Sequence, residues 1–203
     1  VRQTYRMLFP PTDPNALPEY LRGELSRIDN ALAGLDPQTT TKWRQMDSQI
    51  MEGSAVPTKA TTHGNIETYQ FSASDGLNIS TAIAKDYAEG TTLKPYVRWT
   101  VTGTASATNN AVVWDFEYTL ANVSATYGAT QTLSVTATAG EINQLRQTSL
   151  GSITASAATI NSVMLGRLTR SGGNYTARAT FVNFTVEYEA DDIGSGTETH
   201  KRI

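Results

Sequence analysis

The chain has 203 residues, a formal charge of −3 and no cysteine, a length that allows one domain of ordinary size plus an appendage. That charge balance excludes the dense Lys/Arg stripe with which nucleic-acid binders neutralise phosphates. The missing thiols exclude disulfides, thiolate metal sites and a cysteine nucleophile.

Residues 9–18, Phe-Pro-Pro-Thr-Asp-Pro-Asn-Ala-Leu-Pro, hold four of the seven prolines. Proline fixes φ and biases its predecessor toward extended backbone, so this reads as a stiff arm. Pro18 then suits the first turn of a helix, where its missing N–H costs nothing. Leu21, Leu25, Ile28, Leu32 and Leu35 follow at spacings of four, three, four and three, a narrow apolar seam that Asp36-Pro37 ends. A lone helix of this length is marginal in water, so the seam needs a partner: its own domain or, favoured by the projecting prolines, another chain. Residues 37–64 are polar and patternless, with Trp43, Met46, Ile50 and Met51 as isolated apolar points, and read as a linker with one more helical turn at most.

From about residue 65 the period changes to two. Tyr69, Phe71 and Ala73 alternate with polar residues, Asp75-Gly76 gives a hairpin signal, and Leu77, Ile79 and Ile83 return. Val97, Trp99 and Val101 come next, then Val112, Trp114, Phe116, Tyr118 and Leu120, the strongest alternation in the chain. Weaker strands follow at 133–135, 150–153 and 163–170, with a turn at Ser171-Gly172-Gly173-Asn174. The last strand reads Val182, Phe184, Val186 and Tyr188 on its inner face. The expectation is a mainly β protein, an antiparallel β-sandwich preceded by an extended arm and one short helix. The segments are 1–36 (arm and helix), 37–64 (linker) and 65–203 (body). Phe181 and Met164 fall on the nominally outward faces, which points to subunit contacts.

Catalytic side chains are sparse. His63 lies in the linker and His200 in the tail, so neither a histidine triad nor a histidine zinc site is supported. Asp115 with Glu117, and Glu187 with Glu189, each share a strand face. A glycosidase needs two carboxyls in a cleft, whereas charges at every second position are what a solvated sheet face carries. Glu189, Asp191 and Asp192 lack the spacing of a calcium loop. The sequons at Asn78, Asn122, Asn174 and Asn183 mean little without a secretory signal. No apolar run approaches the ~20 residues that span a bilayer, and the N-terminal stretch is too short for a signal peptide. The residues therefore predict a soluble protein made in a cytoplasm, with no cofactor, no metal, no nucleic acid and no membrane among its partners.

The segments Leu93-Lys94-Pro95-Tyr96-Val97-Arg98-Trp99, Val113–Val123, Met164–Arg170 and Val186–Ser195 resemble, in order and spacing, a family of tailed-bacteriophage and prophage virion proteins. The resemblance covers roughly residues 93–198 and implies a jelly-roll-like body. Relatives often carry His where Tyr96 and Arg98 stand, so no histidine role transfers. Separately, Leu17-Pro18-Glu19-Tyr20-Leu21-Arg22-Gly23-Glu24-Leu25-Ser26-Arg27-Ile28 resembles the short N-terminal anchors of phage tail fibres. Together these imply a non-enzymatic virion protein, a homotrimeric tail or head appendage. Tyr20, Leu21, Leu25, Ile28 and Leu32 would bind a tail-adaptor, portal-proximal or capsid protein. A host-surface glycan-binding module, with exposed aromatics near Tyr127 and Tyr175, and a capsid decoration protein are the alternatives.

Overall fold

The structure, a computed structural model, describes residues 20–26, 28 and 42–190. The chain divides into two units, 1–41 and 42–203. In the first, residues 20–26 and 28 are helical, and Leu21, Leu25 and Ile28 stand exposed, Leu25 by 61%. Tyr20 is half-buried and Glu24 buried. Leu32 lies outside the described residues, as does the whole of the arm, 9–18.

Twelve strands make up the described part of the second unit. They are β1 (Lys42–Asp47), β2 (Gln49–Met51), β3 (Thr58–His63), β4 (Ile66–Phe71), β5 (Gly76–Ala82) and β6 (Thr92–Val101). Then come β7 (Ala111–Ala121), β8 (Gln131–Thr138), β9 (Arg146–Ser149), β10 (Ile153–Thr154), β11 (Val163–Gly172) and β12 (Ala179–Ala190). The first sheet runs β10-β6-β12-β4-β3, with β9 also beside β6 and β1 also beside β12; the second runs β2-β5-β11-β7-β8. Every pairing between these strands is antiparallel.

From β4 onward the chain visits the sheets in the order first, second, first, second, second, first, second, first. With β9 and β10 counted as one interrupted strand, the orders β4-β12-β6-β9/β10 and β5-β11-β7-β8 are those of an eight-stranded jelly roll. Alternation along β6 and β7 drives Leu93, Val97, Trp99 and Val101 from one side against Val112, Trp114 and Phe116 from the other. Trp99 and Trp114 meet edge to face at 5.7 Å, Phe71 meets Trp114 at 5.2 Å, and Phe116 meets Phe184 at 4.8 Å. Such contacts add ~0.5–1.5 kcal/mol each beyond the area they bury. A Cβ at Gly166 would lie 2.4 Å from the Phe116 ring, so only glycine lets β11 approach β7 here.

Three expectations are corrected by the structure. The described part of the expected linker, 42–64, is largely strand: β1 pairs with β12 from Lys42↔Ala190 to Asp47↔Thr185, and β2 pairs with β5. It escaped notice because Trp43, Gln45 and Asp47 face solvent and only Met46 of the described side chains in β1 is buried. Phe181 is core, 5% exposed and 6.2 Å from the Phe71 ring. A β-bulge between Phe181 and Asn183 puts Phe181 opposite Trp99 and Asn183 opposite Arg98, which resets the alternation and leaves Val182 exposed. Met164 is also core; its inward row continues through Gly166, Leu168 and Arg170, and that glycine and arginine disguised the row in sequence. Neither residue is placed to touch a second subunit.

The body has two distinct ends. Lys42 sits opposite Ala190, and Ala88 N–H donates to the Glu189 carbonyl at 2.7 Å, so the chain enters and leaves at one end. The other end is closed by the turns 72–75, 102–110, 139–145 and 173–178. Arg170 ties that end together from inside. It is buried, and its guanidinium donates to the carbonyls of Phe71 at 3.0 Å, Ala177 at 2.7 Å and Tyr175. Burial lowers its pKa from the ordinary arginine value, with the Tyr175 ring and Asp75 nearby opposing that shift.

Candidate functional site

Asp115 and Glu117 both project from the outer face of the second sheet, where Asp115 accepts from Ser134 Oγ at 2.6 Å. Glu117 is exposed and stands in register opposite Arg167, whose guanidinium donates to Ser54 Oγ at 3.0 Å. Glu117 lines a shallow groove with Met51, Asn78, Thr130 and Arg167, and among the described residues no second carboxyl shares it, whereas acid–base work on a glycoside needs two. Glu187 and Glu189 lie on the outer face of the first sheet. Asp191, Asp192 and His200 lie outside the described residues. Among the described residues no group of three His, Asp or Glu could hold a metal ion. Tyr175 is buried at 2% exposure with its hydroxyl donating to the Gly103 carbonyl at 2.7 Å, whereas Tyr127 is exposed at the opposite end. The two tyrosines therefore form no common surface. The sequon asparagines Asn122 and Asn174 are wired into loops: Asn122 Oδ1 accepts from Ser162 Oγ at 2.6 Å, and Asn174 Oδ1 from Ala111 N–H at 2.7 Å.

On the outer face of the first sheet, aromatic and hydrogen-bonding side chains from four strands converge. Along β6 it presents Lys94, Tyr96, Arg98 and Thr100; along β12, Glu187, Thr185, Asn183 and Thr180, in matching register. β1 adds Trp43, Gln45 and Asp47 beside Glu189, Glu187 and Thr185, and β9 adds Gln147 and Ser149. A chain of hydrogen bonds crosses four strands. Arg98 Nε donates to Gln147 Oε1 at 2.9 Å and its other nitrogen to Gln45 Oε1 at 3.1 Å, while Gln45 Nε2 donates to Glu187 Oε1 at 3.0 Å. Lys94 Nζ sits 3.7 Å from the centroid of the Trp43 ring, a cation–π contact that fixes the plane of an indole left 41% exposed. Burial, with Glu187 beside it, pushes the Tyr96 phenol above its ordinary pKa.

The same face carries unpaired oxygens. Thr100, Thr180 and Thr185 are each at most 3% exposed, and their Oγ1 atoms, like Asn183 Oδ1, are buried without a hydrogen-bond partner. All four belong to this one face. An unsatisfied buried polar group costs about 1–3 kcal/mol, so four together form a deficit that sheets do not ordinarily carry. Sequence reading passed over Trp43 and Gln45 because they fell in the supposed linker; the signal was the alternation Trp43-x-Gln45-x-Asp47 around buried Met46.

No protein-family model and no curated protein matches the chain. Among solved structures, the CBM22-1–GH10 modules of xylanase 10B from Clostridium thermocellum, complexed with xylohexaose, overlap 76% of this chain and 27% of theirs, at 11% identity and a TM-score of 0.38. The infectious bursal disease virus Gx strain structure overlaps 78% of this chain and 36% of its own, at 13% identity and a TM-score of 0.36. The family 11 carbohydrate-binding module of Clostridium thermocellum, in complex with a mixed-linked tetrasaccharide, overlaps 74% and 91%, at 12% identity and a TM-score of 0.32. The chain thus spans about a quarter to a third of the first two, and overlaps of this order assign neither ligand nor role.

Proposed function

We propose that this chain is a non-enzymatic structural protein of a tailed-phage virion, an appendage held at one end. The observation that carries the reading is the one-ended body. Both chain connections leave beside Lys42 and Ala190, and the far end is closed by its own turns around Arg170. An appendage needs that arrangement, because a tether and a free pole are then built into the strand order. The helical residues Leu21, Leu25 and Ile28 supply the second support, since an exposed apolar seam on so short a helix calls for a partner. In this reading the seam docks on a tail-adaptor, portal-proximal or capsid protein, and three copies assemble together. The number three comes from the resemblance to trimeric phage appendages. The reading places the chain on the virion, assembled in the host cytoplasm. Catalysis has no part in it: Asp115 and Glu117 stand on an open sheet face.

The test is incorporation. Full-length chain should load onto particles that lack it, and a chain beginning at Lys42 should fold yet fail to load. Leu25→Asp with Ile28→Asp should fail in the same way, because burying unpaired carboxylates at the docking surface costs several kcal/mol. Loading of the shortened chain at full occupancy would make the body itself the anchor and sink the reading.

A further inference from the structure

We infer that the outer face of the first sheet binds a neutral oligosaccharide. Three observations converge there. Trp43 offers an exposed indole whose plane Lys94 already holds, so a sugar ring can stack on the free side with little loss of rotamer freedom. Gln147, Arg98, Gln45 and Glu187 form a continuous row of planar donors and acceptors, the groups that fix sugar hydroxyls. The oxygens of Thr100, Thr180, Thr185 and Asn183 have no hydrogen-bond partner among the described residues. Hydroxyl-rich ligands both donate and accept, and so match threonine hydroxyls and an amide oxygen alike.

The charge on the face selects the class of sugar. Lys94 and Arg98 are set among Glu187, Glu189 and Asp47, so neither sign dominates, and a polyanionic glycan would meet three carboxylates. From Glu189 to Asn183 the row covers six residue steps, about 20 Å at ~3.3 Å per residue, enough for several rings of an extended chain. Gln45 is exposed and Arg98 half-buried, and both are long side chains whose donors and acceptors can exchange their present partners for ligand hydroxyls. This recognition belongs to the body and does not depend on the virion assignment.

The experiment exposes the full-length chain to an array of neutral and acidic bacterial surface polysaccharides. An oligosaccharide cut from the best-bound member is then titrated calorimetrically. Binding should favour neutral members, and Trp43→Ala and Arg98→Ala should each weaken it at least tenfold. Neither change should shift thermal unfolding by more than a degree or two, and Asp115→Asn on the other sheet should bind as the parent does. No bound polysaccharide, or full binding by both Trp43→Ala and Arg98→Ala, would overturn the proposal. So would protection of β6 and β12 outer-face residues by a neighbouring protein in assembled particles, which would make this face a protein interface. A loss of particle incorporation with glycan binding intact would instead count against the anchor alone.

Discussion

Tyr188 joins three parts of the body through one hydroxyl. It donates to Asp86 Oδ1 at 2.7 Å; Asp86 is paired with Arg44 of β1, and the Tyr188 ring meets Tyr87 edge-on at 6.4 Å. Burial, reinforced by the Asp86 carboxylate, pushes the phenol up to about 12 from an ordinary value of 10.0. The folded chain therefore holds this proton more tightly than the unfolded chain. The stabilisation is complete below pH 10 and is lost as pH rises toward 12. At 1.36 kcal/mol per unit, Tyr188 accounts for about 2–3 kcal/mol of the alkaline decline. In urea titrations the parent should lose stability steadily between pH 10 and 12, and Tyr188→Phe should show a shallower fall. Identical slopes would mean that the hydroxyl is not held as described. At this scale the sequence was a fair guide to the strand cores, since Trp99, Trp114 and Phe116 face inward as their alternation implied. It misled at Phe181 and Met164, because a bulge and an inward glycine each break a pattern that assumes strict period two. Arg170 gave no sign of itself: a buried arginine whose two terminal nitrogens donate to three carbonyls reads, in sequence, as a solvated one.

β1 and β2 form one extended stretch that changes sheets at Ser48, whose Oγ lies 2.6 Å from Thr81 Oγ1. The first half covers the flank of β12 from Thr185 to Ala190, and the second covers the edge of β5. Between them they clasp both sheets, with Met46 buried and its sulfur accepting from Ala84 N–H at 3.2 Å. The body therefore starts at 42, not at 65. A chain beginning at Lys42 should unfold at the same urea midpoint as the full chain. One beginning at residue 65 should lose at least about 4 kcal/mol, from one buried methionine and a ladder of hydrogen bonds at ~1 kcal/mol each, and should aggregate through the uncovered strand flanks. Equal midpoints for the two shortened chains would show that the clasp contributes nothing. Strands β5, β6 and β7 were legible because their apolar residues recur at every second position over seven to eleven residues. β1 to β3 were not, because strands that bury one side chain or none carry no periodicity to find.

For the whole molecule, the strand order makes the body polar in the geometric sense, with its tether at one end and a loop-closed pole at the other. Sequence could suggest a sandwich with an anchor, but not this polarity, which depends on which sheet each strand joins. Nor could it show the face built from β1, β6, β9 and β12, because residues from 43 to 189 meet there only through pairing. On the proposed virion this polarity sets which end of the body faces the particle. Electron cryo-microscopy of intact virions, with this chain located by its density, tests it most directly. Bodies should be found in threes, each with its Lys42 and Ala190 end toward the particle and the turns 102–110 and 139–145 pointing away. Density with the loop-closed pole seated on the particle, or solitary bodies held by a sheet face, would contradict it.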